Sequence, residues 1–118
     1  MTQLDFIGHL NATEVAPDVF LVSAHGPIDG RIAGELRDVL LPIAAADGSI
    51  LLVDLSEAHG LDDETLSVVA AAAHLALRRG ERLTIITRSR SLAGRITECG
   101  LAELVSIQRS LEDVIVVD

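Results

Sequence analysis

The side chains best equipped for chemistry crowd into one short stretch: Asp54, then His59, then Asp62-Asp63-Glu64, with Thr65 and Leu66 following directly. An imidazole beside carboxylates could exchange a proton or supply half of a metal site. No second histidine stands at ligand spacing, however, and three adjacent acids cannot all turn toward one ion. His59 therefore reads as a solvated loop histidine. Asp54 at the end of an apolar strand would suit a receiver-type phosphoacceptor, but that chemistry needs a lysine on a later strand. The chain has no lysine at all; its nine basic residues are arginines. A P-loop lysine, a Schiff base and a lysine general base are excluded with it. Cys99 has no identifiable base, and its apolar phase with Leu92 and Ile96 points to packing. Gly26, Gly30 and Gly34 lack the spacing of a dinucleotide fingerprint. No convergent catalytic set emerges, so the residues describe a binding module with no cofactor rather than an enzyme.

The elements that must position these residues follow from periodicity. Leu4 to Gly8 and Val19 to Ala24 predict two strands, with turn chemistry at Leu10-Asn11-Ala12-Thr13 and Ala16-Pro17-Asp18 between them. Ile32, Leu36, Val39, Leu40 and Ile43 form one helical stripe, which Pro42 is expected to kink or end near Leu41. Ile50 to Leu55 is the central strand, a continuous apolar run of strand length. A short loop from Glu57 to Leu61 leads to a helix capped by Asp62, with acids in its first turn. Its core face is predicted from Leu66, Val69, Ala70, Ala73 and Leu77, with Leu66 as the first anchor. Arg78-Arg79 complement its negative end and Gly80 follows at C′. Leu83 to Thr87 is a strand, Ser91 caps a short helix, Val105 to Gln108 is the last strand, and Ser110 to Asp113 opens a final helix. The order β-β-α-β-α-β-α-β-α predicts one α/β domain over 1–118. Its sheet is mostly parallel, with an antiparallel N-terminal hairpin and about four helices.

Composition narrows the partners. The net charge of −9 over 118 residues disfavours nucleic acid and anionic membrane surfaces, both of which call for a basic patch. The longest apolar stretch, Val68 to Leu77, is too short to span a bilayer. A lone cysteine and the lack of a signal-like N-terminus suit a cytoplasmic setting.

Three segments together resemble the sulfate-transporter and anti-sigma-factor-antagonist (STAS) family. Gly26-Pro27-Ile28-Asp29 with Ala33, Glu35 and Leu36 is similar to its turn into the first helix. Val53-Asp54-Leu55-Ser56 through Asp62 and Leu66 is similar to its central strand and helix start, and Cys99-Gly100-Leu101 with Leu104 to its approach to the last strand. The resemblance implies the STAS fold and a function as an anti-sigma-factor antagonist in bacterial transcription control. The implied partner is an anti-sigma factor of the kinase-like ATPase type. An alternative within the same fold is a soluble accessory subunit of a membrane transporter. In the family's regulators a hydroxyl residue after the aspartate is phosphorylated by the partner, which breaks the complex. Here the two acceptor positions carry Asp63 and Glu64, and only a one-residue slip would recruit Thr65. The implied partner surface comprises Asp29, His59, Asp62, Asp63, Glu64, Thr65 and Leu66. Asp29 is read either as the cap of the first helix or as part of that acidic surface.

Overall fold

The computed structural model describes residues 2–5, 10–28, 30–59 and 61–114. Its first strand, β1 (Thr2–Asp5), pairs antiparallel with β2 (Leu10–Ala16), which pairs antiparallel with β3 (Val19–Pro27). The segment expected to turn at Leu10 to Thr13 is thus a strand. Leu10 and Ala12 alternate into the core, while Asn11 and Thr13 join side chains at 3.1 Å on the other face. Their polar character reads as a turn only while that alternation goes unnoticed. The real reversal is Pro17-Asp18, where Asp18 adopts φ +63°, a left-handed conformation that aspartate tolerates better than most residues.

Helix α1 (Gly30–Ala45) buries Ile32, Ala33, Leu36, Val39, Leu40 and Ala44. It runs past Pro42, which lies on the exposed side. There the carbonyl released by the missing N–H is open to water, so the helix need not end at Leu41. β4 (Ile50–His59) pairs parallel with β3 from Ile50 to Asp54 and, after a shift of register, from Glu57 to His59, where Pro27 stands opposite His59. The strand therefore extends through most of the segment expected to be a loop. Leu51, Val53 and Leu55 enter the main core; Leu52 is equally buried but alternates to the opposite sheet face.

Helix α2 (Asp63–Arg78) buries Thr65, Leu66, Val68, Val69, Ala72, Ala73 and Ala76. Its core face is rotated from the expected one: Ala70 and Leu77 are only half-buried, and Thr65, Val68, Ala72 and Ala76 are inside instead. Arg79, just past its end, donates from Nε to the Ala44 carbonyl at 2.7 Å and from Nη2 to the Ser49 carbonyl at 3.1 Å. One planar guanidinium thus ties the end of α1 to the entrance of β4. β5 (Leu83–Ile86) and β6 (Val105–Gln108) extend the parallel sheet, giving the six-stranded order β1-β2-β3-β4-β5-β6. Successive right-handed crossovers in one direction carry the helices between β3 and β6 onto a common face.

Helix α3 (Arg90–Glu98) is capped by Ser89, whose Oγ accepts from the Leu92 N–H at 3.1 Å; Ser91 lies inside the helix, exposed. Leu92 and Ile96 are buried, but Cys99 is exposed because it stands where the chain leaves the helix through Gly100, φ +82°. A 3₁₀ turn (Leu101–Glu103) precedes β6, and the short α4 (Leu111–Val114) follows it. The fold is a mixed α/β domain, antiparallel at its N-terminal edge and otherwise parallel, with four α-helices among the described residues. None of its helices among the described residues is long and apolar enough to cross a membrane.

Candidate functional site

The start of α2 is built from Asp62 upward. Its Oδ1 accepts from the Thr65 N–H at 2.8 Å and from the Thr65 hydroxyl at 2.7 Å. The backbone bond satisfies an otherwise orphaned helix donor, and the hydroxyl bond doubles the clamp. The Thr65 hydroxyl first, then its amide, hold the Asp62 carboxyl below the ordinary carboxylate range, with a smaller contribution from Arg95. Thr65 itself has no exposed surface. Its hydroxyl is committed to Asp62. A kinase would have to open the first turn to reach it.

Asp63 and Glu64 diverge from this clamp. Asp63 Oδ1 meets Arg95 Nη2 of α3 at 3.1 Å, while remaining fully exposed itself. Glu64 extends the other way, toward the first residue of α1. A Cβ placed on Gly30 would lie 2.7 Å from Glu64 Oε2 and 3.5 Å from its Cδ. Glycine thus leaves room for this carboxylate over the positive end of α1. Leu66 is 7% exposed and joins the core cluster beneath them.

Between α2 and the end of α3 lies a cleft of about 380 Å³, lined in part by Asp63, Leu66, Ser67, His74 and Cys99. The residues expected to form a partner surface from Asp62 to Leu66 lie together at the start of α2, but they differ in kind. Asp62, Asp63 and Glu64 are exposed, whereas Thr65 and Leu66 are buried supports. His59 is exposed at the end of β4. Asp29 lies outside the described residues. Arg95 and Gly30 were not foreseen: each acts on α2 from about thirty positions away in sequence, and no local pattern marks such a pairing. Among the described residues no three His, Cys, Asp or Glu side chains gather as a metal-binding group.

The family model described as the STAS domain matches residues 11–114. Three solved structures share the architecture. An anti-sigma factor antagonist from Mycobacterium paratuberculosis superposes with TM-score 0.76 at 22% identity, over 95% of this chain and 96% of that one. A Thermotoga maritima protein provisionally described as an anti-sigma factor antagonist gives 0.75 at 12% identity, over 86% and 88%. The anti-sigma factor antagonist SpoIIAA in its unphosphorylated form gives 0.73 at 9% identity, over 89% and 92%. Comparison with curated protein sequences gives no match. At these identities the structural likeness is one of fold, and the family rests on the sequence match across nearly the whole chain: this protein belongs to the STAS domain family.

Proposed function

We propose that this protein is an anti-sigma-factor antagonist that binds a kinase-like anti-sigma factor in the bacterial cytoplasm and is not switched by phosphorylation. The observation that carries this reading is the chemistry at the start of α2. The two positions that correspond to the family's acceptor hydroxyls hold carboxylates, and the hydroxyl next in the chain, on Thr65, is buried and bonded to Asp62. A carboxylate cannot form the stable phosphoester that a serine forms. The protein acts by association, with Asp62, Asp63 and Glu64 presented to the partner and Thr65 and Leu66 holding the turn in shape.

Two behaviours are open to such a chain: permanent binding, or permanent release through imitation of phosphate. The local charge favours binding. A phosphoserine carries about −1.5 to −2 charge, against about −1 for each acid. Asp63 is further offset by Arg95, and Glu64 by the positive end of α1. The anti-sigma factor captured by pull-down from the native host supplies the test. It should bind the wild type in the presence of ATP, and mass spectrometry should find no phosphate at Asp63, Glu64 or Thr65. Glu64→Ser should add a phosphorylation site without raising affinity. Stoichiometric phosphothreonine at Thr65 would restore a working switch and sink this reading. Tighter binding by Glu64→Ser before ATP is added would show phosphate imitation instead.

A further inference from the structure

Beside the middle of β4 and just beyond the carboxyl ends of β5 and β6 stands a second group of polar side chains, separate from the start of α2. Asp54 pairs with Ile86, and Ile86 with Gln108, in one row across three parallel strands. Two residues further along each chain stand Ser56, Arg88 and Ser110. With Arg109, Asp54 and Glu57 they line a cleft of about 300 Å³.

Both arginines are exposed and have donors to spare. Arg88 gives only its Nε, to the Arg109 carbonyl at 3.4 Å. No described residue bonds the terminal nitrogens of Arg88 or any side-chain nitrogen of Arg109. Asp54 and Glu57 line the same cleft, yet neither pairs with Arg88 or Arg109; Asp54 Oδ1 accepts from the Ser56 N–H at 2.9 Å instead.

We propose that this cleft binds a small phosphomonoester whose remainder carries hydroxyl or amino donors. Two guanidinium forks match the oxygens of one phosphate group, and the Ser56 and Ser110 hydroxyls can add neutral donors. The carboxylates of Asp54 and Glu57 border the same space. They accept from hydroxyl or amino groups and repel a second phosphate, which sets a monoester apart from a diphosphate or a nucleic-acid strand. The volume lies at the small end of ligand clefts. This site is independent of the anti-sigma reading.

The test is a ¹H–¹⁵N NMR titration of the intact chain with glycerol 3-phosphate, with glycerol and inorganic phosphate as separate probes. Saturable shifts are expected at the amides of Ser56, Arg88, Arg109 and Ser110, with a dissociation constant of about 1 mM or tighter. Glycerol should be silent and inorganic phosphate weaker. Arg88→Gln and Arg109→Gln, each checked for an unchanged spectrum elsewhere, should each weaken binding about tenfold or more, the loss of one charge-assisted contact. Absence of saturation, or equal titration of both variants and wild type, would overturn the site. Equal affinity for inorganic phosphate and glycerol 3-phosphate would overturn the assigned ligand class.

Discussion

Thr65 and Asp62 work as a single unit at the head of α2. The carboxylate accepts two bonds from one residue, and the hydroxyl bond is the larger reason for its lowered pKa. A carboxyl whose folded pKa is depressed stabilises the fold above its unfolded pKa of about 3.9. That stabilisation disappears as the pH falls through the lower, folded value. Two substitutions separate the contributions. Thr65→Val preserves shape but removes the hydroxyl, so the Asp62 pKa, followed by carboxyl-carbon NMR, should rise toward the ordinary range. Asp62→Asn keeps a competent helix cap at neutral pH but cannot titrate. Its denaturation midpoint should fall less steeply than that of the wild type below about pH 4. An unchanged Asp62 pKa in Thr65→Val would mean that the side-chain bond is not formed in solution.

At the level of elements, the strongest constraint on the site is the depth to which α2 is anchored. Leu66 sits in the core directly beneath the exposed acids, at 7% exposure. Leu66→Ala should cost about 2–5 kcal/mol, toward the lower end because the site is next to an open cleft into which the structure can relax. A denaturant titration showing less than about 1 kcal/mol would mean that the helix is held by its other buried residues. Much of this element was legible in the sequence: the Asp62 cap, Leu66 and Gly80 all stand where local rules place them. The rotation of its face was not legible, because the unbroken run Val68 to Ala73 is apolar on every side of the helix and singles out no face, while the buried Thr65 reads as polar until its hydroxyl is seen to have a partner. The same blindness to partners hid β2, whose Asn11 and Thr13 satisfy each other, and placed the cap of α3 at Ser91 instead of Ser89. The family motifs pointed to the start of α2 as the candidate site; the Arg95 contact and the room left by Gly30 required the folded chain.

For the whole molecule, the decisive quantity is a net charge of −9 on a body about 32 × 30 × 26 Å. At roughly 10 mM salt the screening length is about 30 Å, so every charge feels the full excess; at 0.15 M it is about 8 Å, and only neighbours interact. Self-repulsion should therefore destabilise the free protein most in dilute buffer, and its melting temperature should rise as sodium chloride is added. Binding should respond in the opposite direction. If Asp62, Asp63 and Glu64 face a basic surface on the anti-sigma factor, the same field steers the encounter, and the association rate should fall as salt rises while dissociation changes much less. Exchanging Asp63 for lysine should flatten that salt dependence and weaken binding. The same exchange at Glu112, on the short C-terminal helix, should leave affinity nearly unchanged and lower the association rate only through net charge. Stopped-flow measurements at several salt concentrations separate these cases. Equal losses of affinity from the two exchanges would place the contact surface elsewhere than the head of α2. An association rate insensitive to salt would mean that complex formation owes little to charge, and that the acids at Asp63 and Glu64 serve to abolish the switch without helping to find the partner.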